Sequence, residues 1–208
     1  MSLASLHDAV VTAQSFPLLT GVTATFEAGQ LYSITGPNGA GKTSLLRLLA
    51  GLVPLARGSG TVLGRDLLSP QRREIRRHVG WLGHEGPFYD ELTVRENLAF
   101  AARVSNIDSH GIDSVIATVG LGSRADLRAK HLSAGQRRRI GMAWLLLRRA
   151  ELWLLDEPYA SLDGSARSLF DDIVAQATVA GSCVVVTSHD ALGAKVPVNS
   201  LALRGGSL

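Results

Sequence analysis

The sequence predicts an α/β fold around a parallel sheet, and three observations carry that reading. The apolar run Leu31-Tyr32-Ser33-Ile34-Thr35 reads as a buried strand. It leads at once into Gly36-Pro37-Asn38-Gly39-Ala40-Gly41-Lys42-Thr43, which fits G-x-x-x-x-G-K-[ST], and then into a helical pattern from Ser44 to Ala50. Downstream, strand (151–155), helix (165–179) and strand (183–187) alternate, as in a parallel sheet. The strand at 151–155 ends on two adjacent carboxylates, Asp156 and Glu157. In such sheets the C-terminal strand ends form the ligand-binding edge, so the loop and both carboxylates belong on one edge.

The remaining elements follow in order. Residues 1 to about 30 read as short strands with turns at Ser15-Phe16-Pro17 and Ala28-Gly29. After the first helix, which ends at Gly51, the glycine-rich patch Arg57-Gly58-Ser59-Gly60 leads into a strand at 61–63 and a turn at 64–66. Val79-Gly80-Trp81-Leu82 reads as another buried strand. From Thr93 to about Gly120 the pattern is helical, with Val94, Leu98 and Ala101 at i, i+4 and i+7. A long helix is expected from Ser133 to Arg149. This helical middle stretch reads as an insert between strands.

Each motif has a chemical reason. Glycines in the loop at 36–43 let backbone N–H groups turn onto phosphate oxygens, and the following helix adds its positive N-terminal dipole. Lys42 is expected to reach the β- and γ-phosphates, and the Thr43 hydroxyl to ligate Mg²⁺. Asp156 is placed to hold Mg²⁺ through its water shell, because Mg²⁺ takes few carboxylates and retains waters. Glu157 is placed to polarise a water toward the γ-phosphate. His189, two residues after the strand at 183–187, can donate to the γ-phosphate and steady that water. In Leu132-Ser133-Ala134-Gly135-Gln136, Ser133 can cap the long helix, or the helix start can form a second phosphate cradle.

The 208 residues are 46% hydrophobic and 19% charged, enough for a substantial core. No run approaches the roughly 18 apolar residues of a membrane span. No charged stretch followed by an apolar core opens the chain, so no signal peptide is expected. Cys183, the one cysteine, suits a reducing compartment and reads as an inert core thiol. The net charge is +3, with arginines clustered at 72–73, 76–77, 137–139 and 148–149. Without interleaved aromatics these read as solvated helix faces rather than a nucleic-acid surface, with anionic ligand or lipid contact as the alternative.

Taken together, the motifs resemble the nucleotide-binding domain of an ABC ATPase across essentially the whole chain. Residues 36–43 match Walker A, 132–136 the family signature, and 152–157 Walker B. Ala160-Ser161-Leu162-Asp163 matches the D-loop, and His189 the switch histidine. The resemblance implies a P-loop NTPase fold of ABC type: a mixed sheet core, an N-terminal antiparallel β part, and a helical subdomain at about 84–149 inserted in a single domain, 1–208. It also implies a head-to-tail homodimer with MgATP between Walker A of one copy (36–43, with Ser44) and Ser133, Gly135 and Gln136 of the other. Asp163 joins the nucleotide-contacting set on the same ground.

Three departures stand out. Ala134 replaces the signature's first glycine, which reads as a less permissive loop. His84 stands where the family usually carries a Gln that contacts the metal or water. The aromatic that usually stacks on adenine is absent near Ala13; Phe16 is the substitute candidate, although a core role suits it better.

A narrower resemblance rests on 35–49, Gly83-His84, residues 133–139 and residues 152–158: these are similar to the ATP-binding subunit of the bacterial cytochrome c maturation system, a heme exporter ATPase. It implies membrane-spanning partner subunits and a peripheral place on the cytoplasmic face of the inner membrane. It also implies hydrolysis that drives heme export or release of a heme-loaded chaperone. No Cys-x-x-Cys-His is present and the six histidines are scattered, so no direct heme binding is expected. The alternatives are the ATPase of another small-cargo exporter, a soluble ABC protein acting on nucleic acid or ribosomes, and an inactive regulatory module. A coupling helix of the membrane partner would enter a groove beside the insert, where Phe88, Tyr89 and Leu92 are candidate contacts that also suit ordinary packing.

Overall fold

The computed structural model describes residues 1–14, 16–83, 88–159, 162–188, 192–193 and 195–204. Two sheets organise the molecule. Strands β1 (Ser2–Ala13), β2 (Phe16–Glu27), β4 (Arg57–Val62) and β5 (Arg65–Asp66) form an antiparallel sheet in the order β2-β1-β4-β5. Strands β3 (Leu31–Thr35), β6 (Val79–Leu82), β7 (Leu152–Asp156), β8 (Cys183–Thr187) and β9 (Val198–Ala202) form a second sheet, β6-β7-β8-β3-β9, in which every pairing is parallel.

The parallel strands are apolar on both faces because both faces are covered. Side chains alternate along each strand. Ile34, Leu152, Leu154, Cys183 and Val185 pack toward helix α1 (Lys42–Leu49) and the antiparallel sheet, where Leu45, Leu46, Phe26 and Val62 are fully buried. Leu31, Trp153, Leu155, Val184 and Val186 pack on the opposite side. There they meet helices α2 (Val94–Val104), α3 (Ile112–Thr118), α4 (Ala134–Arg148) and α5 (Gly164–Val179).

Helices α2, α3 and α4 lie between β6 and β7 in sequence, although those strands are neighbours in the sheet. α2 starts on a capping box: Thr93 Oγ1 accepts from Glu96 N at 3.1 Å, and Glu96 Oε2 accepts from Thr93 N at 2.8 Å. α4 sits tightly on β6 because Gly141 has no side chain. A Cβ there would stand 2.5 Å from Leu82 Cδ1. No helix among the described residues is long and apolar enough to cross a membrane.

Several expectations change. The N-terminal strands are twelve residues each, not short, and the hairpin accommodates its length through four register shifts. Pro17 lies inside β2, opposite Thr12. β2 is an edge strand, which tolerates a missing N–H. Residues 57–60 belong to β4 rather than preceding it, with Gly58 at φ 85°. The single helical stretch from 93 to 120 is two helices, broken around Asn106 at φ 53°. β9 is mostly exposed and the polar 3₁₀ segment Pro70–Arg77 buries only Ile75, so neither offers an apolar run to be read from sequence. Phe16 is 66% exposed, so its core reading fails; at the edge of the hairpin it has no apolar layer to enter.

Cys183 is fully buried, and desolvation pushes its thiol up to about 12. The thiolate is the reactive form. A thiol-specific reagent at pH 8 should therefore leave the native protein unmodified and label one cysteine per chain in denaturant. Rapid labelling of the native protein by mass spectrometry would contradict this packing.

Candidate functional site: a nucleotide edge on the parallel sheet

The C-terminal ends of β3, β7 and β8 converge on one edge of the sheet. β8 lies between the other two, and Thr187 pairs in register with Ile34 on one side and Asp156 on the other. From β3 the chain enters the glycine loop and then α1. Gly41 caps α1 at φ 92°, a left-handed conformation, and a Cβ there would stand 2.3 Å from Leu18 O. Only glycine satisfies both constraints.

The loop and carboxylates enclose an open cleft of about 450 Å³. It is lined by Leu18, Asn38, Gly39, Ala40, Gly41, Lys42, Thr43, Ser44, Asp156 and Glu157. Lys42 Nζ donates to the carbonyls of Gly36 and Pro37 at 2.8 and 3.3 Å, so the largely buried lysine folds back onto the start of its own loop. An anion in the cradle would find its positive charge already in place.

Thr43 and Asp156, 113 residues apart, meet directly: Thr43 Oγ1 donates to Asp156 Oδ2 at 2.9 Å. The other carboxylate oxygen, Oδ1, accepts from Thr187 Oγ1 at 2.6 Å. A hydroxyl beside one carboxylate is a hard-oxygen pair that suits Mg²⁺, which keeps most of its waters and takes its other ligands from phosphate. Next along, Glu157 has φ 46°. Its N–H donates to both Thr187 O and Thr187 Oγ1 at 3.1 Å. The backbone turn ends the strand and leaves the half-buried Glu157 side chain at the cleft.

Two residues here were missed by sequence reasoning. From sequence Thr187 reads only as a strand end, yet it is fully buried and touches both acidic residues. Its place beside the motif histidine was the only signal. Arg138 reads with its neighbours as a solvated face, but it is 7% exposed. Its guanidinium donates to the main-chain carbonyls of Gly83, Asp156, Glu157 and Pro158. The other two arginines of that run are only partly buried, and Arg137 pairs with Asp90 at 2.9 Å.

The signature residues stand apart from the cleft. Ser133 is the N-cap of α4, exposed, in a complete capping box with Gln136: Ser133 Oγ accepts from Gln136 N at 3.3 Å, and Gln136 Oε1 from Ser133 N at 3.1 Å. Ala134 occupies the first helical position, where alanine is preferred to glycine, so that departure carries no conformational penalty. Gly135 follows in the first turn. Asp163 caps α5, accepting from Ala166 N at 2.8 Å and Ser165 Oγ at 2.7 Å, and these bonds hold its carboxyl below the usual range. His84 and His189, with Ala160 and Ser161 of the D-loop, lie outside the described residues. Beside the insert, Tyr89 is exposed and edge-on to Phe100 at 5.1 Å, Leu92 is half-buried, and Phe88 packs on the core.

A glycine cradle with its lysine, a threonine–aspartate pair and an adjacent glutamate, all at the ends of parallel strands, define a P-loop nucleotide hydrolase. The ABC transporter family profile matches residues 19–160, and the chain belongs to that family. Within it, the similarity is to cytochrome c biogenesis ATP-binding export proteins. CcmA 2 of Cupriavidus metallidurans is 38% identical over 211 residues, covering 97% of this chain and 100% of that one. CcmA of Salmonella typhi is 40% identical over 190 residues, covering 91% of each. Among solved structures, the ATP-binding cassette MJ1267 in its ADP conformation superposes with a TM-score of 0.79 at 20% identity, covering 92% of this chain and 82% of that one. The ATP binding subunit of an ABC transporter gives 0.80 at 22% identity, over 90% and 79%. These confirm the expected fold. The chain is an ATP-binding ABC-type ATPase, a peripheral subunit that works as a dimer beside membrane partners.

Two variants test the site. Lys42→Ala removes the cradle's full positive charge, and such charge-assisted contacts are worth about 1.5–3 kcal/mol. ATP affinity by calorimetry should weaken on the order of 10–100-fold; an unchanged affinity would contradict the cradle. Thr187→Val keeps shape and deletes the hydroxyl, leaving Asp156 Oδ1 without that partner, at a stability cost of about 1–3 kcal/mol. Chemical denaturation should report that loss, and steady-state turnover should fall. A variant as stable and active as wild type would make the hydroxyl a bystander.

Proposed function

We propose that this chain is the ATPase of a cytochrome c maturation exporter. In this reading the whole chain, 1–208, is one cassette with a helical insert at about 84–149. Two copies enclose two MgATP molecules, and hydrolysis drives heme export or release of a heme-loaded chaperone handled by membrane-spanning subunits. The cassette sits on the cytoplasmic face of the inner membrane and does not itself bind heme. Similarity to the CcmA proteins over nearly the full length of both chains supports the system. The contact of Thr43 with Asp156, beside Glu157, is the observation that carries the chemistry.

The residues divide the work. Backbone N–H groups of the loop at 36–43 and the start of α1, with Lys42, bind the phosphates. Asn38 and Ser44 line the same cleft and complete the polar wall. Thr43 and Asp156 would hold Mg²⁺, which supplies neutralisation of phosphate charge when bound. Glu157 accepts a proton from the attacking water, and His189 steadies that water against the γ-phosphate. His84 takes the place of the usual Gln near the metal.

The dimer accounts for the position of the signature. Ser133, Gly135 and Gln136 do not line their own chain's cleft. They present a polar helix start outward, as a partner's γ-phosphate requires. Asp163 is the last residue of the D-loop, which in this reading faces the second copy.

Glu157→Gln should bind ATP, lose turnover and accumulate an ATP-bound dimer on sizing. Wild-type phosphate release would remove Glu157 as the base. For the composite site, Ser133→Arg should leave ATP affinity nearly intact and reduce hydrolysis steeply, because the transition state loses its second cradle. Mixing it with Lys42→Ala forms dimers with one site intact in both halves, so some hydrolysis should return. A folded Ser133→Arg protein with wild-type turnover, alone and with its membrane partner, would sink the sandwich. Copurification with membrane subunits of cytochrome c maturation tests the assignment to that system, and capture of a different exporter's subunits would replace it.

A further inference from the structure

Arg138 is the one buried arginine of the run 137–139, and its guanidinium donates to four main-chain carbonyls. Its Nη2 donates to Asp156 O at 3.2 Å and Glu157 O at 2.9 Å, and its Nε to Pro158 O at 3.3 Å. Nη1 donates to Gly83 O at the end of β6. The guanidinium therefore gathers three consecutive carbonyls of the turn that follows β7 and pins that turn to the neighbouring strand's exit. Burial lowers the pKa of this arginine, and the Asp156 carboxylate opposes that effect without cancelling it.

The turn needs such a device. Glu157 is held at φ 46°, a left-handed conformation uncommon for a residue with a side chain. Its N–H is fixed from one side by Thr187 O and Oγ1, and its carbonyl from the other by Arg138. With both ends of the residue held, the direction of its Cα–Cβ bond is fixed, and the carboxylate can reach only the sector that bond opens. A planar fork with five donors can serve several carbonyls at once, whereas a lysine ammonium lacks that fork's span and plane.

We propose that Arg138 is a positioning residue for hydrolysis: it clamps the turn at 156–158 so that the Glu157 carboxylate faces the cleft in its working orientation. The inference rests on the reading of Glu157 as the group that accepts a proton from water. Arg138 also lies in the first turns of α4, whose N-terminus carries Ser133 and Gly135. The clamp thereby ties the helix that would serve the partner's nucleotide to the carboxylates that serve its own.

The test uses the full chain as wild type, Arg138→Lys, Arg138→Gln and Glu157→Gln. Calorimetry with a non-hydrolysable ATP analogue gives affinity and sites per chain, and steady-state assays give kcat and KM. Arg138→Lys and Arg138→Gln should keep affinity, stoichiometry and KM while kcat falls on the order of 10²-fold, the usual cost of a reacting group displaced by about 1 Å. Lysine, which keeps the charge, should retain more activity than glutamine. The proposal is overturned if both variants turn over like wild type while Glu157→Gln is inactive. It is equally overturned if binding stoichiometry drops in step with kcat, because Arg138 would then only support folding. Wild-type turnover by Glu157→Gln would instead remove the reading beneath it.

Discussion

The Asp156 carboxylate, held between two threonine hydroxyls, is the constraint on which the nucleotide edge depends. Thr43 stands in the first turn of α1, and Thr187 closes β8. Asp156 itself ends β7, so one side chain ties three elements whose residues are far apart in sequence. Each bond alone is worth on the order of 1–3 kcal/mol, because the acceptor is charged and partly withdrawn from water. Geometry matters more than the sum. The order β7-β8-β3 leaves Thr187 between the acidic strand end and the glycine loop. Asp156 can reach both hydroxyls only if all three strands end at one level, and the registers of Asp156 with Thr187 and of Thr187 with Ile34 set that level.

The core explains why that level is stable. Alternation along β7 sends Leu152 and Leu154 to one layer and Trp153 and Leu155 to the other, and the strand is buried on both sides. A slip of one residue would exchange the layers and bring an acidic residue into an apolar face. Register and site are thus specified by the same pattern. The close seat of α4 on β6, made possible by Gly141, brings Arg138 within reach of the turn after β7. Packing on the helical side therefore reaches into the chemistry as well as the stability.

How much of this was legible varies with the range of the interaction. The glycine loop, the acidic strand end and the signature are local patterns, and β3, β6 and β8 fall where the sequence placed them. The long antiparallel hairpin was read as short pieces because Gly21, Pro17 and Asp8 interrupt its alternation; irregular pairing tolerates them, and that pairing depends on the partner strand. β9 is mostly exposed and bears little apolar pattern; it exists because β3 offers it an edge. Arg138 could not be separated from Arg137 and Arg139 by composition. Only the rotation of α4 about its axis decides which of three arginines faces four carbonyls. Phe16 failed for the reverse reason: an aromatic residue reads as core unless the edge of the sheet is known.

The signature posed an apparent choice between a helix cap and a phosphate cradle, and the geometry makes the two compatible. In the capping box the Ser133 hydroxyl accepts a bond from Gln136 N, which uses a lone pair and leaves its proton available to donate outward. The side chain of Gln136 returns to Ser133 N through its oxygen, and its amide N–H₂ group remains available. The cap thus fixes the directions of the donors that a cradle needs before any ligand arrives. A preorganised donor set spares the cost of ordering at the moment of reaction, which is where such sites gain most. Ala134 supports this reading: at the first helical position it stiffens the helix start that a glycine would leave loose. In the proposed dimer, these preset donors are what the second copy's phosphates would meet.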